Sequence, residues 1–240
     1  MMPRSTVFAV LRWPLALVAA ALILVAIFTG RQTPAAEAPV VLPAPALDNP
    51  KQHGRLQTAV LAGGCFWGLQ GVFEHVRGVQ EVLAGYSGGS RSTASYQDVG
   101  SGSTGHAESV QIVFDPERLT YGELLQIYFS VAHDPTELNR QGPDEGTQYR
   151  SVIFYSDDTQ RHIAEGYIAQ LNSGKALPRA IVTQLDPLKG FYRAEDYHQD
   201  YYLKNPQAPY IVYNDLPKIR NLKTLFPTYY SDAPTTVGAR

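Results

Sequence analysis

The sequence predicts an α/β (α+β) two-layer sandwich, with a ferredoxin-like βαββαβ core and an irregular C-terminal extension. Three observations carry this. Short apolar or alternating runs stand at 58–62, 79–86, 109–114 and 150–155. A stretch of helical spacing separates the first run from the second, and another separates the third from the fourth. No internal repeat interrupts the order, which places two helices across one sheet, the helix between strands four and five supplying the second crossover.

Each element has a local reason. The run TAVLA at 58–62 ends in Gly63-Gly64, a buried strand closed by a turn. Phe66, Leu69, Val72, Phe73 and Val76 then follow at helical spacing, so a helix starts near Cys65, is weakened by Gly68 and Gly71, and stops at Gly78. The second strand ends in SGG, and residues 87–105 form a long Gly/Ser/Thr-rich loop of the kind that carries binding groups. SVQIVF at 109–114 alternates and stops at Asp115-Pro116. Thr120 followed by Glu123 is a capping-box signature for a helix over 120–131. A polar loop spans 132–148, a strand 150–155, a long helix runs from Ser156 to about Asn172, and a fifth strand is expected at 178–185. Beyond Gly190 the reading is a short helix around 195–203 and an irregular tail to Arg240.

Composition narrows the function. The chain of 240 residues carries 20 Lys+Arg against 22 Asp+Glu, so no basic excess exists to hold nucleic acid. One cysteine, Cys65, excludes an internal disulfide and a thiolate zinc cluster, and the six scattered histidines show no metal-ligand spacing. Arg4 and Arg12 precede the uncharged run PLALVAAALILVAIF at 14–28, the basic-then-apolar arrangement of an export signal. Residues 1–36 are therefore read as a signal peptide or membrane anchor, 37–51 as a Pro/Ala-rich linker or extended tether, and 52–240 as the working domain. Without the first 36 residues, 17 basic residues face 22 acidic ones. The expected location is outside the cytoplasm: in a Gram-negative cell, the periplasm, soluble or tethered to the inner membrane.

The chemistry centres on Cys65. A thiol where a strand meets a helix start lies near free amides and the positive end of the helix dipole, which predicts a lowered pKa and a nucleophile. Phe66 and Trp67 beside it suit a small apolar pocket. A buried structural cysteine between core aromatics is equally open on these residues alone. Glu108 enters an apolar strand and is a candidate acid with a raised pKa; an ordinary edge charge is the alternative. Tyr96 and Tyr149, in the two polar loops, could orient one oxygen between them or simply pack. Asp144 is a candidate for orienting a water or a tyrosine, or a plain turn residue. His106 is as readily a structural hydrogen-bonding group as a functional one, and no Cys/His pair is assigned. Another single-cysteine enzyme, such as a thiol peroxidase or a cysteine hydrolase, and a module that binds oxidised peptides are the competing classes.

GGCFWG at 63–68, GYSGG at 85–89, TGHAE at 104–108 and DEGTQYRS at 144–151 resemble the peptide methionine sulfoxide reductases of the A type. HQDYYLKNP at 198–206 is similar to the family's C-terminal element, and the resemblance covers residues 57–215. It implies reduction of the S epimer of methionine sulfoxide, free or in proteins, and so repair of oxidised proteins. Cys65 is then the nucleophile, Glu108 the general acid, Tyr96 and Tyr149 the oxygen-binding groups, and Asp144 the carboxylate that helps hold water and the substrate backbone. Phe66 and Trp67 take the substrate methyl, with His106 placed beside them as a substrate-binding residue. No metal or organic cofactor is implied. Many relatives carry a second, resolving cysteine in the C-terminal tail; residues 204–240 have none. The expected partners are an oxidised methionine and an external reductant: a thioredoxin-like or glutaredoxin-like protein or a small thiol. A monomer is expected.

Overall fold

A computed structural model describes residues 40–238 of the chain. The expected export segment at 1–36 lies outside the described residues. Among those described, no helix is long and apolar enough to cross a membrane.

The centre is a six-stranded mixed sheet. Its strands are β1 (Gln57–Ala62), β2 (Val79–Ser87), β3 (Ala107–Phe114), β6 (Val152–Tyr155), β7 (Gln184–Pro187) and β8 (Phe191–Arg193), in the order β7-β6-β1-β3-β2-β8. All pairings are antiparallel except β6 with β7. Two-residue strands β4 (Arg140–Gln141) and β5 (Asp144–Glu145) make a separate hairpin. Helix α1 (Phe66–Glu74) joins β1 to β2, α3 (Tyr121–Ile127) follows β3, and α4 (Asp158–Ser173) joins β6 to β7.

Strand alternation assigns the faces. Ala59 and Leu61, Val82, Ala84 and Tyr86, and Val110, Ile112 and Phe114 all belong to the main core, together with Phe66, Leu69, Val72 and Phe73 of α1. Val60, Ala62, Ala107, Val152 and Phe154 make a smaller cluster of their own. Each fully buried aliphatic or aromatic side chain contributes ~2 kcal/mol by leaving water, so the α1 stripe alone fixes that helix firmly. Glu108 shares the parity of Val110 and Ile112, which aims its carboxyl into the layer that holds α1.

The structure corrects several expectations. The strand placed at 178–185 occupies Gln184–Pro187 instead. Upstream, Ile181 and Val182 give their amides to Asn172 Oδ1 and the Pro135 carbonyl, so that stretch ties α4 and a loop together before it reaches the sheet. The helix after β3 is α-helical only to Ile127 and finishes as a π-helical turn, Tyr128–Ala132. The C-terminal extension is not irregular. It contains α5 (Tyr201–Lys204), a π-helical turn Ile211–Asp215 and α6 (Leu216–Leu225), which carries Pro217 in its first turn and buries Ile219 and Leu222.

The tether expected over 37–51 is bound to the domain from Leu42 onward. Leu42 is in the core, its amide donates to Ser130 Oγ (3.1 Å), and its carbonyl accepts from Gln126 Nε2 (2.7 Å). Tyr167 and Gln170 of α4 take the next carbonyls, and Asp48 accepts from Thr120 Oγ1 and the Gly122 amide at the start of α3. The described residues near the C-terminus are also fixed. The Ser231 and Thr235 amides donate to the His75 and Glu74 carbonyls, at the far end of α1 from Cys65.

Candidate active site

Cys65 is the N-cap residue of α1 and is 8% exposed. The turn before it requires glycine. Gly64 has φ +93°, and a Cβ there would lie 2.5 Å from Gln141 Cγ. The Gly64 amide donates to the Tyr149 carbonyl (3.1 Å), which brings the second polar loop to the thiol.

Glu108 meets the helix start from β3. Its Oε2 accepts from the Phe66 amide (3.1 Å), the first residue of α1, in a position where only 3% of the residue is exposed. Burial pushes its pKa up to about 8; the Phe66 amide pulls it back, and Asp144 adds to the rise. Glu108 is thus a carboxylic acid at neutral pH. The Cys65 thiol is also pushed well above its ordinary value, by burial first and then by the carboxylates of Glu108, Asp215 and Asp144. This reverses the sequence expectation of a lowered pKa. The Trp67 amide does favour the anion, but desolvation and three carboxylates outweigh it.

The tyrosines converge on the same point. Both phenols are raised by burial first, and both feel the charges of Glu108, Cys65 and Asp144. Tyr96 begins the short helix α2 (Tyr96–Val99) and remains 39% exposed. Its amide donates to Glu195 Oε1 (3.0 Å), while Glu195 Oε2 accepts from the Tyr86 hydroxyl (2.8 Å). Arg150 fixes the loop of Tyr149: its guanidinium donates to the carbonyls of Thr147 (2.8 Å), Gly105 (3.0 Å) and His106 (3.1 Å). One side chain therefore clamps the loop bearing Tyr149 to the segment leading into Glu108.

Aromatic rings form the remaining wall. The Phe66 ring lies 5.0 Å from that of His198, and Tyr96 lies 4.4 Å from it. Trp67 stacks on Tyr201 at 3.8 Å and meets the edge of Tyr210. Trp67 Nε1 donates to His198 Nδ1 (3.0 Å), which leaves the His198 proton on Nε2, a buried donor without a protein partner. The Tyr210 hydroxyl donates to Asp144 Oδ2.

Seven of the eight residues singled out in the sequence are thus brought together: Cys65, Glu108, Tyr96, Tyr149, Asp144, Phe66 and Trp67. His106 is not among them. Its Nδ1 accepts from the Gly89 amide (3.2 Å) and its Nε2 donates to the Ser90 carbonyl (2.9 Å), so both ring nitrogens are spent on holding the loop after β2. Sequence reasoning missed Glu195, Tyr210 and Asp215. Tyr210 is 66 residues from Asp144, and no local signal reports such a pairing.

A lone buried thiol beside a protonated carboxyl and two phenols is the equipment of a thiol-dependent oxidoreductase. The model of the peptide methionine sulfoxide reductase family matches residues 57–228. The chain is 60% identical over 181 residues to peptide methionine sulfoxide reductase MsrA 2 of Mesorhizobium japonicum, covering 75% of this chain and 93% of that protein. It is 51% identical over 195 residues to the MsrA 2 protein of Synechocystis, covering 80% and 89%. Among solved structures it is similar to Mxr1 of Saccharomyces cerevisiae in reduced form, with a TM-score of 0.58 and 35% identity over 64% of this chain and 88% of that one. It is similar also to methionine sulfoxide reductase A of Corynebacterium diphtheriae, with a TM-score of 0.55 and 34% identity over 72% and 87%. The chain belongs to the peptide methionine sulfoxide reductase family.

Proposed function

We propose that this protein reduces the S epimer of methionine sulfoxide, free or within proteins, to methionine. The observation that carries this is the meeting of Cys65 and a protonated Glu108 at the first amide of α1. A sulfoxide has a partly positive sulfur and a partly negative oxygen. The Cys65 sulfur attacks the former while Glu108 protonates the latter, and the Tyr96 and Tyr149 hydroxyls donate hydrogen bonds to that oxygen. The thiol proton replaces the one Glu108 gives up. The substrate sulfur gains two electrons and the Cys65 sulfur loses two, so thiol plus sulfoxide becomes sulfenic acid plus thioether.

Handedness follows from the wall of Phe66 and Trp67. The S epimer puts its methyl on the rings and its oxygen on the donors. The R epimer aims its oxygen at the rings and leaves it unpaired, at a cost of ~1–3 kcal/mol. Asp144, held by Tyr210, orients water and the substrate's backbone side.

With one cysteine in the chain, the sulfenic acid returns to thiol at the expense of two external thiols, which leave as a disulfide and water. A thioredoxin-like or glutaredoxin-like protein or a small thiol fits that need. The basic and apolar residues before position 30 support export and a possible membrane tether, which makes a dedicated extracytoplasmic thiol donor part of the reading. The order β6-β1-β3-β2, with α1 and α3 in the crossovers, supports a ferredoxin-like reading of the four central strands.

The test uses separate S and R epimers of a methionine sulfoxide peptide, with dithiothreitol, against the native chain and Cys65→Ser. Reduction of the S epimer alone, abolished in the variant, is expected. Turnover of the R epimer, or activity surviving in Cys65→Ser, overturns the proposal.

A further inference from the structure

The motif around Cys65 contains a second glycine, and the structure shows what occupies the space a side chain would take there. A Cβ on Gly68 would lie 2.2 Å from Asp215 Oδ1 and 2.8 Å from Lys218 Nζ. Asp215 and Lys218 come from the C-terminal segment, at the start of α6, and pair at 3.3 Å. Their charges therefore rest on the first turn of α1. Gly68 is the third residue of that helix and Cys65 is its N-cap, so the two stand one turn apart on the same face. The ion pair thus lies within one helical turn of the residue that carries the sulfur, and Asp215 acts on the thiol itself. Asp215 is wholly buried and its Oδ2 has no partner.

We propose that the Asp215–Lys218 pair sets the ionisation of the Cys65 thiol, Lys218 supplying positive charge beside the sulfur and Asp215 masking it. The groups facing the sulfur agree in sign. From β3 comes Glu108, from the β4–β5 hairpin Asp144, and from the C-terminal segment Asp215; each raises the thiol's pKa. Tyr96, Tyr149 and Tyr210 are neutral, and His198 accepts from Trp67 and is itself held low by burial. Lys218 is the cation that draws down both Asp144 and Asp215. Lys218 and Asp215 are positioning residues: neither needs to touch substrate. With the cation masked, the resting thiol stays protonated. A thiol is far less open to oxidation than a thiolate, an advantage for a protein whose one cysteine has no internal partner. Substrate binding then has only to shift a small balance of charge.

This inference rests on Cys65 being the reacting thiol, but its test does not require sulfoxide chemistry. The single cysteine makes alkylation by iodoacetamide a clean report of thiolate, read as rate against pH on the folded full chain. Asp215→Asn keeps the volume against Gly68 and unmasks Lys218. Alkylation at pH 7 is expected to rise about tenfold, with its midpoint moving to lower pH. Adding Lys218→Met to Asp215→Asn is expected to cancel that gain, and Lys218→Met alone is expected to give no acceleration. The proposal is overturned if Asp215→Asn leaves the profile unmoved, or if the double variant keeps the acceleration. The same holds if both single variants speed alkylation, which is what mere loosening of the helix start would do. A normal thermal midpoint for Asp215→Asn separates an electrostatic change from a folding defect. A shifted alkylation profile in a protein that fails to reduce sulfoxide would retain this inference and remove the functional one.

Discussion

Replacing Glu108 with Gln tests the acid at the centre of the reaction. Gln has the same volume, and its carbonyl oxygen can still accept from the Phe66 amide at the 3.1 Å position. What it lacks is a proton to give. Loss of a positioned general acid lowers a rate by roughly 10²–10⁴-fold. The pH dependence adds a second, sharper expectation. With its pKa near 8, native Glu108 is mostly protonated at pH 7 and about one tenth protonated at pH 9, so the supply of acid falls about tenfold for each unit above 8. Cys65 works in the opposite sense, because a higher pH makes more thiolate and speeds attack. The native rate should therefore rise with thiolate up to about pH 8 and then level off, as the loss of acid offsets the gain in thiolate, and that levelling belongs to Glu108 and not to the thiol. The assay is a single turnover without added thiol, following methionine formed per Cys65 from the S epimer between pH 5 and 10. Glu108→Gln is expected to be slow and to keep rising through pH 8 without levelling off. A variant within tenfold of native at pH 7, or one that levels off at the same pH, would refute the assignment of the acid.

Three further outcomes follow from packing and burial. Glu74 is buried with both carboxyl oxygens unpartnered and its pKa pushed up to about 9, by burial first and then by Asp200; it is protonated in the native state and ionised in the unfolded chain above its ordinary pKa. The native state therefore loses stability as pH rises from 4.5 toward 9, and Glu74→Gln should raise the unfolding free energy more at pH 9 than at pH 5, by up to ~5 kcal/mol; an equal effect at both pH values would contradict this. Leu42→Ala should cost ~2–4 kcal/mol of unfolding free energy in urea, and a chain starting at residue 52 should be less stable still; a midpoint equal to that of the 40–240 chain would show that the docked segment contributes nothing. Arg150→Met removes donors to three loop carbonyls and should lower single-turnover rates about tenfold at saturating peptide, with Arg150→Lys only partly restoring them, since an ammonium lacks the planar fork; full activity in Arg150→Met would show that Tyr149 holds its place without the clamp.

The parts of the fold that local physics controls were legible in the residues. The capping box expected at Thr120 and Glu123 forms reciprocally, with the two bonds at 3.1 and 2.8 Å. β1, α1, β2 and β3 follow from strand alternation and helical spacing, because each buries one face against the same core. Elements that owe their existence to a partner were not legible. β4, β5 and β8 are two or three residues long, too short to show a period, and form only where a neighbouring segment supplies the ladder. The apolar run at 178–185 looks like a strand, yet its first half is used to tie down the end of α4. In the C-terminal extension the signal was present and passed over. Pro217, Ile219, Leu222 and Phe226 carry a helix-starting proline followed by apolar residues three and four apart.

The site divides in the same way, and the division is chemical. Residues that must touch the reacting atoms lie in short motifs, because the β1–α1 turn, β3 and the two polar loops already meet at one end of the sheet. Residues that set the electrical environment of those atoms need only be near them in space. Tyr210 and Asp215 therefore arrive from a segment more than a hundred residues after Cys65, and His106, inside a motif, turns out to serve a loop. The expected pKa of Cys65 failed for the same reason. A helix start supplies a few partial charges that can be read from local sequence. Burial outweighs them first, the three carboxylates that add to it come from three other segments, and only the folded chain brings all of these together. Reading the nucleophile from sequence is thus a question of local backbone geometry. Reading its reactivity is a question of long-range charge, which is why the C-terminal segment, with no reacting group of its own, is where differences in thiol reactivity among such proteins should be sought.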